Sequence, residues 1–266
     1  DLVTTDAGSV KLVSLNGAIT VNDGDADGVG ISAATTGDVL LWARQDVAIN
    51  SDVRSGVGHV TLRAGDDIDL NADVFTVGGS VYLTATNDTA DSIRGVDMQR
   101  GTLISTSGGN VRVLADNEAD ILVSQIDAGV GSVSLLAEGS ILDNELGVNV
   151  RASVLRMVAD AGLTNVSNQV GSIGLADVLN GSPDVNGNAI DTRVDVLAAQ
   201  SADGIYVEEF NAVRVDSTGD IAVEEVRFNS TRTVRTDGRL SDLVTTDAGS
   251  VKLVSLNGAI TVNDGD

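Results

Sequence analysis

The 266-residue sequence has no cysteine, one proline and very few aromatic residues. Without cysteine it can form no disulfide bond and has no thiolate to act as nucleophile or metal ligand. Aromatic residues make up 2% of the chain and hydrophobic residues 42%, so the apolar side chains are nearly all Val, Leu, Ile and Ala. Large globular cores take much of their buried area from Phe, Tyr and Trp. The composition therefore predicts a thin core filled by small and branched aliphatic side chains.

Positive charge is also scarce. The formal net charge is −23, and lysine occurs only at Lys11 and Lys252. Such a surface repels phosphate backbones and anionic lipid headgroups, so we expect no nucleic-acid partner and no binding to a membrane surface. No apolar run is long enough to span a bilayer, so we also expect no membrane insertion. Divalent cations and basic surfaces remain compatible partners.

The sequence repeats at long range. Residues 1–25 and 242–266 share the same twenty-five letters, DLVTTDAGSVKLVSLNGAITVNDGD. Identity over this length indicates tandem duplication with a period of 241 residues. We therefore expect residues 1–241 to be one full period, built as a single continuous solenoid, and residues 242–266 to start the next identical repeat.

A shorter repeat lies within the period. The phrase G-x-V-x-L-x-A returns about every 22 residues, which is typical of a solenoid with one phrase per coil. Clear copies place an apolar residue at Val10, Val39, Val60, Val81, Val111, Val133 and Ile173, and weaker copies place one at Leu155, Val194, Val213 and Val234. These eleven units predict about eleven coils per period.

Within a unit, apolar and polar residues alternate, as in Val60-Thr61-Leu62-Arg63-Ala64. This alternation predicts short strands separated by Gly, Asp and Asn bends. Stacked coils would bury a continuous aliphatic column, so the sequence predicts an all-β parallel β-helix. At about 4.8 Å per coil, eleven coils give a rod of about 50 Å. The alternative is a pair of calcium-linked β-sandwich domains of cadherin type.

The stretch GHVTLRAGDDIDLNADVFTVGGSVYLTA, residues 58–85, resembles the repeats of filamentous-haemagglutinin-type adhesins and other giant bacterial surface proteins. The resemblance implies a right-handed parallel β-helix and an extracellular bacterial setting. It implies no receptor, because no receptor-binding motif matches. The long identical period departs from the short divergent repeats of those adhesins and favours a filament or stalk.

The sharpest local motif is Asp23-Gly24-Asp25-Ala26-Asp27-Gly28. Carboxylates at alternate positions of a glycine-containing loop can converge on a hard cation, and D-x-D-x-D-G also opens calcium loops. Asp23, Asp25 and Asp27 are therefore candidate Ca²⁺ ligands. An EF-hand would need a glutamate where Ala34 stands, so this loop is not an EF-hand. The alternative is a solvated acidic turn.

Other motifs give weaker predictions. Residues 184–188 form a looser acidic loop, and residues 87–95 form an insertion of the kind that carries binding in solenoids. The pairs Glu208-Glu209 and Glu224-Glu225 could approach each other on stacked coils, as a glycosidase requires, or form a solvated acidic ladder. The single His59 has no recognisable nucleophile frame, and we expect Trp42, Met98 and Met157 to pack in or against the core.

These features predict a non-enzymatic structural protein: the repeat unit of an extracellular or cell-surface β-solenoid filament or adhesin stalk, with copies of itself as partners. The first alternative is a calcium-dependent adhesin that binds a glycan or cell-surface receptor through its loops. The second is a β-helix polysaccharide lyase or hydrolase. Such sites need clustered Asp with Lys or Arg, which a chain with two lysines supplies poorly.

Overall fold

The computed structural model describes residues 1–87, 95–160, 171–176 and 188–264. These residues form 28 strands and no helix, so none of them lies in a helix that could cross a membrane. Twenty-six strands belong to one sheet whose pairings are parallel, and the other two form an antiparallel hairpin. The predicted all-β parallel β-helix is confirmed.

The parallel strands lie on three faces, A, B and C, which the chain visits in that order in each coil. The first six coils consist of β1 (Leu2–Thr4), β2 (Val10–Ser14), β3 (Ile19–Val21); β4 (Val29–Ala33), β5 (Val39–Ala43), β6 (Val47–Ile49); β7 (Asp52–Ser55), β8 (Val60–Ala64), β9 (Ile68–Leu70); β10 (Val74–Phe75), β11 (Val81–Ala85), β12 (Gly95–Met98); β13 (Leu103–Ser105), β14 (Val111–Ala115), β15 (Asp120–Val123); β16 (Gln125–Asp127), β17 (Ser132–Ala137) and β18 (Ile141–Asp143).

The later coils merge neighbouring faces into longer strands. The long strands β19 (Val150–Ala159) and β21 (Ile190–Ser201) each begin on face A and continue onto face B, and β20 (Ser172–Ile173) lies on face C between them. Next, β22 (Gly204–Glu209) covers faces C and A, and β23 (Val213–Val215) pairs with the start of the face B segment of β21.

Face B contains the predicted ladder of equivalent apolar residues. In-register pairs join Val10, Val39, Val60, Val81, Val111, Val133 and Leu155 in that order. The next residue of the ladder is Leu197 and not the predicted Val194, which pairs with Ala152 on face A. The predicted count of eleven coils is too high. Ile173 pairs with Ile141 on face C, and Val234 lies in the antiparallel hairpin, so neither starts a coil. Leu197 pairs onward with Val215, so the described part of residues 1–241 stacks nine rungs on face B, which span about 40 Å at the usual strand spacing.

The glycine of each phrase has a steric cause. A Cβ placed on Gly58 would collide with the carbonyl oxygen of Gly37, and one on Gly79 would collide with the carbonyl of Gly58. The same contact recurs at Gly109 and Gly131. Stacked coils therefore bring backbone against backbone at this corner, and only glycine fits. Inside the corners, Val, Leu, Ile and Ala fill the column, together with the buried Met98 and Met157.

Between β23 and the last coil the chain leaves the solenoid and forms a β-hairpin of β24 (Ile221–Val226) and β25 (Arg232–Asp237). The hairpin lies along the outer side of face B, where β24 passes over β8, β11 and β17. It covers outward-facing residues of that face, so all five residues of β11 are buried. The inward side of β24 is formed by Ile221, Val223 and Glu225, which are all buried.

The last coil is built from the second copy of the repeated segment: β26 (Leu243–Thr245), β27 (Ser250–Ser255) and β28 (Ile260–Val262). In the first copy, β1, β2 and β3 occupy faces A, B and C. In the second copy, β26 pairs with the end of β21 on face B, β27 pairs with β22 on faces C and A, and β28 pairs with β23. The same sequence thus stands on different faces at the two ends.

Candidate functional site

The predicted acidic loop leaves the solenoid at the corner between faces C and A. The structure brings Asp23, Asp25 and Asp27 together as predicted and adds Asp1, with one oxygen of each within 4.8 Å of the others. Asp23 is half-buried and the other three are exposed. Sequence reasoning missed Asp1 because it stands before β1, and only the pairing of β1 with β4 carries it to the loop.

Backbone amides orient these carboxylates. The amides of Ala26 and Gly28 donate to the two oxygens of Asp23 at 2.7 and 2.8 Å, and the amide of Gly24 donates to Asp1 Oδ1 at 2.8 Å. The Gly28 amide is the main cause of a lowered Asp23 pKa, so this carboxylate is ionised at neutral pH. Ala26 and Gly28 both have positive φ, which curls the loop tightly.

The loop can supply four anionic oxygen ligands to a hard cation, which is the donor chemistry that Ca²⁺ prefers. The amide hydrogen bonds to Asp23 are also those expected of an acidic turn that binds no ion. The repeated segment carries the equivalent residues Asp242 and Asp264, whereas Asp266 lies outside the described residues. The geometry therefore brings together the ligand set proposed from the sequence.

The second feature is the interface between the hairpin and face B, where charged pairs concentrate. Arg112 makes two hydrogen bonds of 2.9 Å to Asp237, and Arg232 makes bonds of 3.0 and 2.9 Å to Asp38. Since each guanidinium contacts a carboxylate through two nitrogens, these pairs also fix orientation. They fasten the hairpin to β14, which contains Arg112, and to Asp38, the residue immediately before β5.

Glu225 lies at the centre of this interface and is fully buried. Its carboxylate accepts from Arg63 of the solenoid at 2.8 Å and from Arg227 at 3.1 Å, and it also pairs with Arg235. The hydrogen bond from Arg235 to Glu225 raises the pKa of that guanidinium, so Arg235 remains charged. Three cations around one buried carboxylate make Glu225 the main electrostatic anchor of the hairpin.

Backbone contacts complete the hairpin interface. The amide of Glu224 donates to Ser80 Oγ and the amide of Val226 donates to Thr61 Oγ1, both at 2.9 Å. Asn110 Nδ2 donates to the carbonyl of Ala222 at 2.8 Å. Outward-facing Ser, Thr and Asn side chains of face B thereby satisfy one edge of β24, which would otherwise expose free backbone groups.

The two glutamate pairs are not stacked as a catalytic pair would be. Glu209 lies in β22, where Thr192 Oγ1 and the amides of Val194 and Asn211 donate to its carboxylate, and burial raises its pKa. Glu225 belongs to the hairpin, and β24 pairs only with β25 among the described strands. The arrangement holds these carboxylates as structural groups in two separate elements.

The remaining predicted residues are placed as follows. His59 is half-buried on the outer side of face B, and its Nδ1 lies 2.9 Å from Ser80 Oγ. Burial is the main cause of its lowered pKa. Trp42 lies on the outer side of β5, 41% exposed, with the Arg63 guanidinium 5.4 Å from its ring, so it is not a core residue. Residues 184–187 and 88–94 lie outside the described residues.

Comparison with protein-family models, curated proteins and solved structures found no match to this chain. The similarity to filamentous-haemagglutinin-type repeats therefore stays a prediction from the sequence. Any function assigned to the chain therefore rests on the solenoid, its repeated segment and its loops.

Proposed function

We propose that this chain is the structural repeat unit of an extracellular or cell-surface β-solenoid filament or adhesin stalk, whose partners are further copies of itself. The observation that carries the proposal is the placement of residues 1–23 and of their identical copy, residues 242–264, at the two ends of a single parallel ladder. A repeat placed in this way extends the rod with each added period. We propose no catalytic activity for it.

The surface chemistry supports this role. A net charge of −23 on a rod favours solubility and keeps neighbouring rods apart. The absence of cysteine leaves stability to hydrogen bonding and packing between coils, which do not depend on the redox state of the surroundings. Extracellular location is part of the proposal and follows from the expectation that a long repetitive rod acts outside the cell.

The test measures rod length against the number of periods by electron microscopy of purified chains carrying one, two and four periods. We expect rods that lengthen by about 40 Å for each added period, from eight to nine coils at the usual strand spacing. Beads of constant diameter joined by flexible linkers would refute the proposal.

A second candidate, a calcium-dependent adhesin, is favoured by the acidic loop alone. In this proposal Asp1, Asp23, Asp25 and Asp27 hold Ca²⁺ and stiffen a loop that binds a glycan or cell-surface receptor. Calorimetric titration of the chain with CaCl₂ tests it, using Asp25→Asn as the variant and Asp6→Asn, outside the cluster, as the control. Binding that Asp25→Asn abolishes and Asp6→Asn retains supports a cation site, whereas equal heats in all three proteins exclude it.

A further inference from the structure

The last coil leaves apolar residues exposed that are buried in the first coil. Val251 is 45% exposed and Val262 is 71% exposed, whereas their sequence equivalents Val10 and Val21 are 7% and 5% exposed. The residues are identical, so the difference comes from what covers them. Among the described residues each copy is stacked on one side only: β4, β5 and β6 pair with the C-terminal side of the first copy, and β21, β22 and β23 pair with the N-terminal side of the second. The edge that β4, β5 and β6 occupy in the first copy is therefore open in the second.

We infer that the outer edge of β26, β27 and β28 is a docking edge for residues 29–49 of a following copy of the sequence in the same polypeptide. The first coil supplies the register. There Leu2 pairs with Ile31, Val10 with Val39 and Ile19 with Val47. Because the last coil repeats this sequence, it offers the same donors, acceptors and apolar residues to the same strands. This inference rests on the proposed filament function and adds the geometry of its junction.

The junction also changes the face on which the next period begins. The second copy already pairs with β21, β22 and β23 on its inner edge, with Val251 on Ile205 and Leu253 on Val207. Face B of the following period therefore continues from β22, which spans faces C and A of the present period. The solenoid does not run straight through the junction, and its faces are exchanged there.

The exchange of faces also changes the side of the rod on which the hairpin lies. In the present period it lies on face B, held by Glu225, Asp237 and Asp38. In the following period the equivalent hairpin lies over that period's own face B, which stands above faces C and A. Successive hairpins thus occupy different sides of the rod, and a filament of many periods presents them in rotation.

The test uses a two-period chain in which residues 1–241 precede the complete 266-residue sequence. Because the protein has no cysteine, introduced pairs report single contacts. The pair Thr261→Cys with Arg214→Cys should form a disulfide, since these residues are partners in the exchanged register. A straight junction would instead join Thr261→Cys to Tyr206→Cys. The pair Thr20→Cys with Ala48→Cys, at the same position of the first copy, is the positive control.

We expect the Thr261/Arg214 pair to oxidise as fast as the control and at least about tenfold faster than the Thr261/Tyr206 pair, because disulfides need closely spaced Cα atoms. Cryo-electron microscopy of the same chain should show one rod with its two hairpins on different sides. A Thr261–Tyr206 disulfide, or two hairpins on one side of a continuous rod, overturns the exchange of faces and leaves the filament proposal intact. Two rods joined by a flexible segment overturn both.

Discussion

Replacing Glu225 by Gln should loosen the hairpin from face B. The change removes the negative charge that faces Arg63, Arg227 and Arg235, and those arginine side chains are 34 to 42% exposed. Breaking a fully buried ion pair costs about 3–5 kcal/mol. Here water can reach the arginines and the Gln oxygen can still accept one hydrogen bond, so we expect about 2 kcal/mol, or about a thirtyfold rise in the undocked population.

The assay follows a single cysteine placed under the hairpin. Ser134→Cys suits this purpose, because Ser134 is fully buried on β17, over which β24 passes. Its thiol should react with a small disulfide reagent only when the hairpin lifts, so the labelling rate reports the undocked population. Glu224→Gln is the matched control. It removes the same charge from the neighbouring residue, whose side chain is only partly buried. Equal labelling rates in the two variants would refute the assignment of Glu225 as the anchor.

Three further changes test the solenoid itself. Gly58→Ala should lower the free energy of unfolding, measured in urea, by about 2 kcal/mol or more, because the new Cβ collides with the Gly37 carbonyl. Gly147→Ala is the control: its Cβ meets nothing within 4 Å, so the free energy of unfolding should change by less than about 0.5 kcal/mol. Leu62 is fully buried, so Leu62→Ala should lower the free energy of unfolding by about 3 kcal/mol. Val57 is 53% exposed, so Val57→Ala should leave it nearly unchanged. Similar losses of stability for both variants would argue against a packed column. Burial raises the pKa of Asp120 above its usual 3.8, so the ionised side chain destabilises the folded state at neutral pH. Wild type should therefore gain stability relative to Asp120→Asn as pH falls through the raised pKa, the gain being complete below about 3.8, and a pH-independent difference would contradict this assignment.

The sequence predicted the solenoid because its signals are local and repeated. The stacking of Val60, Val81 and Val111 follows from one phrase at nearly constant spacing, and the Gly corner follows from the same phrase. The hairpin was not predicted, because IAVEEV and RTVRTD alternate like any solenoid strand and only their partners distinguish them. A signal was nevertheless present: four of the chain's arginines fall within residues 227–239, and three of these pair with carboxylates.

The acidic loop and the last coil show a second limit. Alternate carboxylates identified Asp23, Asp25 and Asp27, but Asp1 joins them only through the register of β1 on β4. The same limit explains the miscounted coils. Ile173 has the right phrase, yet it lies on face C because β19 already spans faces A and B. Which face a phrase occupies depends on the lengths of the connections before it, and a phrase does not encode those lengths.

The corners of the coils give the rod a practical property. The acidic loop leaves at the corner between faces C and A, and the strands β3 and β4 on either side of it still pair with the next coil, β4 through a register shift between Val29 and Ile31. Foreign peptides inserted at such corners should be displayed on the outside without disturbing the aliphatic interior. Because neighbouring corners are about 4.8 Å apart along the axis, the choice of corners would set the distance between attached groups.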